Sequence, residues 1–273
     1  MENIEKVKEA LNKNNKLDIQ VKSDLLYIIE QFYLRLPNIS LEKLCHNLKE
    51  LNIVPGSMYV YTDSMQYVPG ANEIVINQRK LNSKSVDGEN ALMKSVISMA
   101  TTEGISFGFG VNRDLEALNF GFLEVLANNL SGNRGESDYE DEQRLVNLIF
   151  TADDFDTLFD AFFKNDSELV IKLLLTKCND KDKLKTFLDL ANHNLHTKLA
   201  NLKQNESKEE MDYNVTKEMM ELMNMARGMF DVNIDYLINK PVGFAPLKSN
   251  GYVDYDEVHE SVMSQELEWR RAR

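Results

Sequence analysis

Apolar residues recur at helical spacing along most of this 273-residue chain and at strand spacing in one short stretch. From Asn3 to about Asn52 the steps are of three and four residues. Leu25, Leu26, Ile28, Ile29, Phe32, Tyr33 and Leu36 make one broad face, and Pro37 ends the run. Ser40 is the expected N-cap of a further short helix, with Glu42 in its first turn and Leu41, Leu44, Leu48 and Leu51 on one side. Pro55-Gly56 then breaks the pattern.

Between Ser57 and Leu81 the spacing predicts strands. MYVYTD (58–63) and EIVINQ (73–78) hold aromatic and β-branched residues over strand-length windows, and Pro69-Gly70-Ala71-Asn72 between them supplies a turn. The rest of the chain shows no other strand pattern. ALMKSVISMATT predicts a helix beginning near Glu89 or Asn90. Gly104, Gly108 and Gly110 mark a loop, and LEALNFGFLEVLANNL (115–130) is a second helix stopped by Ser131-Gly132-Asn133. From Tyr139 onward five successive segments are helical in period. Pro241 and Pro246 close the series, and residues 247–273 read as a polar tail.

The expected fold is therefore mainly α, of α+β type: a helical N-terminus, a small β-sheet, two central helices and a C-terminal helical bundle. The expected division is 1–150, 151–246 and the tail 247–273. No segment repeats another, which excludes a helical-repeat solenoid.

Composition narrows the function classes. With 44 Asp and Glu against 31 Lys and Arg, the formal charge is −13, and the surplus of cations that neutralises phosphates is missing, which argues against a nucleic-acid partner. Hydrophobic residues reach 43%, enough for a packed core. No apolar h-region follows the N-terminus, and the most apolar run, Leu169 to Leu175, is short and contains Lys172. A soluble, cytoplasmic protein without a membrane partner is expected. Cys45 and Cys178 have no paired spacing and suit free thiols.

Most candidate motifs dissolve on inspection. GFG at 108–110 lacks the third glycine of a dinucleotide loop and the Lys of a P-loop. His193 and His196, three apart on a helix, share a face and could offer two metal ligands, but an exposed polar face with Asn194 and Lys198 is the simpler reading. Cys45 and His46 are adjacent and point to different sides of their helix. The acidic clusters at 136–142 and 153–156 lack calcium-loop spacing and suit solvated helix N-termini. Met211, Met219, Met220, Met223, Met225 and Met229 suit either an adaptable partner surface or, more simply, core filling.

The order strand, helix, loop, helix from Met58 to Leu130 carries more. It resembles the thermolysin-like gluzincin branch of the zincin metallopeptidases, in which one helix bears H-E-x-x-H and the next N-E-x-x-x-D/E or N-E-G followed by an acid. Two His at i and i+4 hold zinc, the intervening Glu is the general base, and a Glu from the second helix completes the ligands. In the matching register Lys94, Ser95 and Ser98 stand where the family has His, Glu and His. Phe120 stands at the ligand Glu, 22 positions after Ser98, while Asn119, Gly121 and Glu124 match supporting positions. YVPGANEIVIN and SDYEDEQRLVNLI resemble the flanking edge strand and following helix of small bacterial members.

Every chemical role is replaced. Lys94 must lose a proton to ligate zinc, Ser95 is no general base, Ser98 is a poor ligand and Phe120 has no donor atom. The resemblance implies a catalytically inactive, metal-free and cofactor-free relative kept as an intracellular module for a protein or peptide partner. Two alternatives stand beside it: a non-zinc enzyme acting through Lys94, Ser98 and Glu124, and a helical scaffold unrelated to peptidases. The central helices must face one another for the resemblance to hold.

Overall fold

A computed structural model describes residues 2–56, 64–77, 88–132, 137–204 and 209–230. Three helices open the chain: α1 (Glu2–Lys13), α2 (Ile19–Arg35) and α3 (Glu42–Leu48). The Asp18 side chain accepts from the Val21 amide and caps α2, and Leu25, Ile28, Ile29 and Phe32 turn inward, as their spacing predicts. The cap of α3 is Leu41 rather than Ser40. Ser40 lies one residue too early and only accepts, through its hydroxyl, from the Glu42 amide. Asn14 closes the α1–α2 corner, its amide donating to the carbonyls of Leu48 and Leu51 and its oxygen accepting from the Lys16 and Leu17 amides.

The sheet has three described strands, β1 (Asn52–Pro55), β2 (Met65–Val68) and β3 (Glu73–Ile76), in the order β1-β3-β2. β3 and the turn at 69–72 fall where the sequence places them, but the strand that pairs with β3 across that turn is β2 at Met65–Val68, with Tyr67 opposite Ile74 and Asn72 at φ 52°. β1 was not expected. It runs parallel to β3, Ile53 opposite Ile74, and it occupies the residues where helical spacing was read to end. MYVYTD lies outside the described residues, as do Pro241, Pro246 and the tail.

Two long helices cross the centre. α4 (Gly88–Ala100) buries ten of its last eleven residues, and α5 (Glu116–Ser131) ends at Gly132, whose left-handed φ of 74° lets its amide reach the Asn128 carbonyl. Between them the glycine-containing segment is more ordered than a plain loop. It makes a two-residue-stranded hairpin, β4 (Thr102–Glu103) with β5 (Ser106–Phe107), and two 3-10 turns at Gly108–Val111 and Arg113–Leu115.

The remaining helices follow the predicted series: α6 (Glu140–Ile149), α7 (Phe155–Lys164), α8 (Ser167–Cys178), α9 (Lys181–Gln204) and α10 (Glu209–Met229). The fold class is mainly α with a small sheet. One continuous apolar core runs from Val7 to Phe230, with Phe109, Phe122 and Phe162 fully buried where α5, α7 and the first 3-10 turn meet. On α10, Met219, Leu222 and Ala226 are buried, as is Phe230 just beyond it, and Met223, Met225 and Met229 pack partly buried against the same core. Among the described methionines of this helix Met220 is the exposed one and the others fill the interior, while the Met211 side chain lies outside the described residues. At the end of α7, Asn165 adopts φ 57°. Its amide donates to the carbonyls of Thr101 (2.6 Å) and Gly108 (2.8 Å), and its oxygen accepts from Lys43 (2.5 Å), joining α7, the hairpin and α3 at one side chain. No described helix is long and apolar enough to cross a membrane.

Candidate functional site

The polar positions of α4, Lys94, Ser95 and Ser98, would face water if the helix were a surface helix. Instead α4 lies between the sheet and α5, and all three are inside, at 5%, 1% and 3% exposure. Each therefore needs a partner. Ser95 finds one within its own helix, donating to the Ala91 carbonyl at 3.2 Å. The Ser98 carbonyl accepts from the Thr102 hydroxyl at 2.7 Å, binding the end of α4 to the hairpin that follows.

Lys94 reaches across to α5. Its Nζ lies 2.6 Å from Glu124 Oε1 and 3.5 Å from Ser137 Oγ, and Ser137 in turn donates to the same carboxylate oxygen at 2.5 Å. Glu124 is 1% exposed, so the ion pair sits where water screens little and attraction between charges is strong. α4 and α5 pack face to face.

The neighbouring α5 positions part company. Phe120, half-buried, stacks on Tyr139 with ring centroids 4.5 Å apart and planes at 5°, and meets the edge of Phe107. Asn119 points the other way, under the first 3-10 turn. A Cβ on Gly108 would lie 2.5 Å from Asn119 Oδ1 and one on Gly110 2.7 Å from its Nδ2. Close approach to this carboxamide, and to Phe162, accounts for the GFG glycines without a phosphate. Asn119 Oδ1 has no hydrogen-bond partner among the described residues. Gly121 opens the contact with α6, since a Cβ there would meet the Glu142 carbonyl oxygen at 2.2 Å.

This donor set does not suit zinc. Lys94 holds its nitrogen in an ion pair, Ser95 is turned back on its own helix, and Phe120 offers a ring. Among the described residues no group of three or more His, Cys, Asp or Glu is placed to hold a metal ion. His193 and His196 are exposed, and His196 Nε2 lies 3.0 Å from Glu116 Oε2.

A second buried pair lies where the sequence suggested solvent. Glu142 of α6, read as part of a solvated acidic cluster, is 1% exposed and paired with Lys198 of α9, whose ammonium lies 6.0 Å from the Tyr139 ring centre. Lys198 and Asn194 are buried rather than part of an exposed face with the histidines. The signal was present: Leu184, Phe187, Ala191, Leu195 and Lys198 continue one row at steps of three and four. Asp154, from the other acidic cluster, closes a capping box with Thr151 and pairs with Lys177 at 2.7 Å.

Burial pushes the Glu142 carboxyl above its ordinary range, and the charge and hydrogen bond of Lys198 offset this only in part. A raised folded-state pKa means that the folded chain holds the proton more tightly than the unfolded one. The contribution to stability is thus fullest below the ordinary Glu pKa of about 4.3 and is lost as pH rises through the raised value. Urea unfolding at stepped pH should show Glu142→Gln gaining stability relative to the wild type as pH rises above the ordinary Glu range, whatever its effect on absolute stability. Equal slopes in the two proteins would contradict the assignment.

Compared with models of protein families, with curated proteins and with solved structures, the chain matches none.

Proposed function

We propose that this chain is a zincin-like protein without catalysis, a pseudo-metallopeptidase whose α4–α5 frame persists as a binding or interaction module. The observation that carries the reading is the Lys94–Glu124 pair. In the register of the resemblance, Lys94 replaces the first zinc-binding His and Glu124 keeps its acidic position on the facing helix. A side-chain ammonium thus lies against the carboxylate of α5, where the family would place a metal cation close by. The neighbouring Phe120 in place of a ligand Glu, stacked on Tyr139, agrees with a frame given over to packing.

The partner on this reading is a protein or peptide. The −13 charge weighs against nucleic acid, and the site of action is the cytoplasm, away from membrane. An enzyme built on Lys94 and Ser98 is less well supported, because an ion-paired ammonium has no lone pair with which to take the Ser98 proton.

Purified without chelator, the protein should carry no stoichiometric zinc by elemental analysis and should leave unfolded protein substrates uncut. The combined change Lys94→His, Ser95→Glu, Ser98→His and Phe120→Glu should then create a site that retains one zinc per chain through gel filtration. One tightly held zinc in the wild type, lost on substitution at Glu124, would overturn the reading. So would a folded fourfold variant that binds no zinc.

A further inference from the structure

Glu124 and Ser137 present to Lys94 a carboxylate oxygen and a hydroxyl on one side, with the three groups mutually within 3.5 Å. The two elements that supply them, α5 and the segment entering α6, are positioned independently of Lys94. Gly132 terminates α5, Gly121 sets α5 against α6, and the Tyr139 amide donates to Ser137 Oγ at 3.1 Å. A buried carboxylate and a half-buried hydroxyl held this way form a seat for a small cation, and Lys94 reaches it from a different helix on a flexible four-carbon stem.

We propose that Glu124 and Ser137 form a cation seat, occupied in the native chain by the tethered ammonium of Lys94, which binds a free primary alkylammonium ion when the tether is cut. This follows from the geometry of the pair and does not depend on the zincin-like reading. Truncation to alanine removes Cγ, Cδ, Cε and Nζ, the heavy atoms of n-propylammonium, so that ion replaces the lost volume and the lost charge together. Its three N–H donors match the acceptor-rich seat. Tetramethylammonium carries the same charge but no N–H donor, and it is wider than the unbranched stem it would replace.

The seat is selective on two further grounds. A hydrated metal ion would have to shed its water for one carboxylate and one hydroxyl, a poor exchange for a divalent ion that favours several oxygen ligands. A neutral alcohol such as n-propanol fills the same space but does not restore the positive charge that Lys94 brings to Glu124.

The test is thermal unfolding of full-length Lys94→Ala in n-propylammonium chloride, with equal concentrations of tetramethylammonium chloride, n-propanol and sodium chloride. The expected result is a rise in Tm that grows with the logarithm of n-propylammonium concentration above its Kd and amounts to a few degrees at about ten times that Kd. Wild type, whose seat is filled, and Lys94→Ala/Glu124→Gln, whose seat has lost its charge, should not share it. If Lys94→Ala is recovered only unfolded, refolding yield with and without n-propylammonium gives the same decision. A response equal in the four solutes, or equal in the double variant, would overturn the proposal. Zinc content plays no part in this test, so its failure and that of the proposed function can be told apart.

Discussion

Lys94→Met should lower the free energy of unfolding by about 3–5 kcal/mol, as expected when one partner of a buried ion pair is removed and the other charge stays behind. The loss is not one of volume, since methionine fills nearly the space of the lysine stem. It arises because Glu124, 1% exposed, loses the ammonium 2.6 Å from its carboxylate, and the neutral hydroxyl of Ser137 does not replace that charge. The double variant Lys94→Met/Glu124→Leu should recover most of that loss or exceed the wild type, because well-packed apolar side chains avoid the desolvation of both charges. Urea midpoints for the wild type, two single variants and double variant close a cycle whose coupling term should be about 2 kcal/mol or more. A Lys94→Met protein as stable as the wild type would show that Glu124 has another source of compensation.

Gly121→Ala should also be costly, by about 2 kcal/mol net, through a different cause. The added Cβ would meet backbone atoms, the Glu142 carbonyl oxygen at 2.2 Å and its carbon at 2.5 Å, with Val146 Cγ2 at 2.8 Å. A side chain can rotate away from such a contact, but a helix backbone must be displaced as a whole. Overpacking of this kind costs about 3 kcal/mol, against roughly 1 kcal/mol gained from the better helix propensity of alanine. Since the displaced residue is Glu142, the pair with Lys198 should also be stretched. Gly228→Ala is the built-in comparison, because nothing lies within 4 Å of a Cβ there and alanine within α10 should stabilise by up to about 1 kcal/mol. Thermal melts of the two variants should move in opposite directions, and a Gly121→Ala melt at or above the wild type would remove close α5–α6 packing as the reason for this glycine.

The helices were legible because their evidence is local. Steps of three and four residues place α2, α4, α5 and the series from α6 onward, and the Ser131-Gly132 stop is met by a glycine at positive φ. β1 was not legible for the converse reason. Asn52–Pro55 is four residues long, and its partner β3 lies some twenty residues on in a parallel pairing that no short-range pattern encodes. The small hairpin after α4 escaped for want of length, with two residues in each strand.

The candidate site was half legible. Lys94 and Glu124 were both singled out, on successive helices, and their side chains meet. Ser137 was not singled out, because its role depends on how the chain re-enters after α5. Glu142 and Lys198 were read as solvated for the same reason that Lys94 looks like a surface residue: a charge in a periodic pattern marks the wet face of an isolated helix. In α4, α6 and α9 a second helix covers that face, and charges of opposite sign meet under the cover.

Asn165 has a consequence for how the chain breathes. Its bonds to the Thr101 and Gly108 carbonyls and from Lys43 span α7, the β4–β5 hairpin and α3, and the hairpin cannot swing out without uncoupling the end of α7. Amide hydrogens of so short a ribbon would ordinarily exchange by local fraying. Here their exchange should follow the slower opening of α7, making residues 101–108 and 155–165 one cooperative unit despite the 46 residues between them.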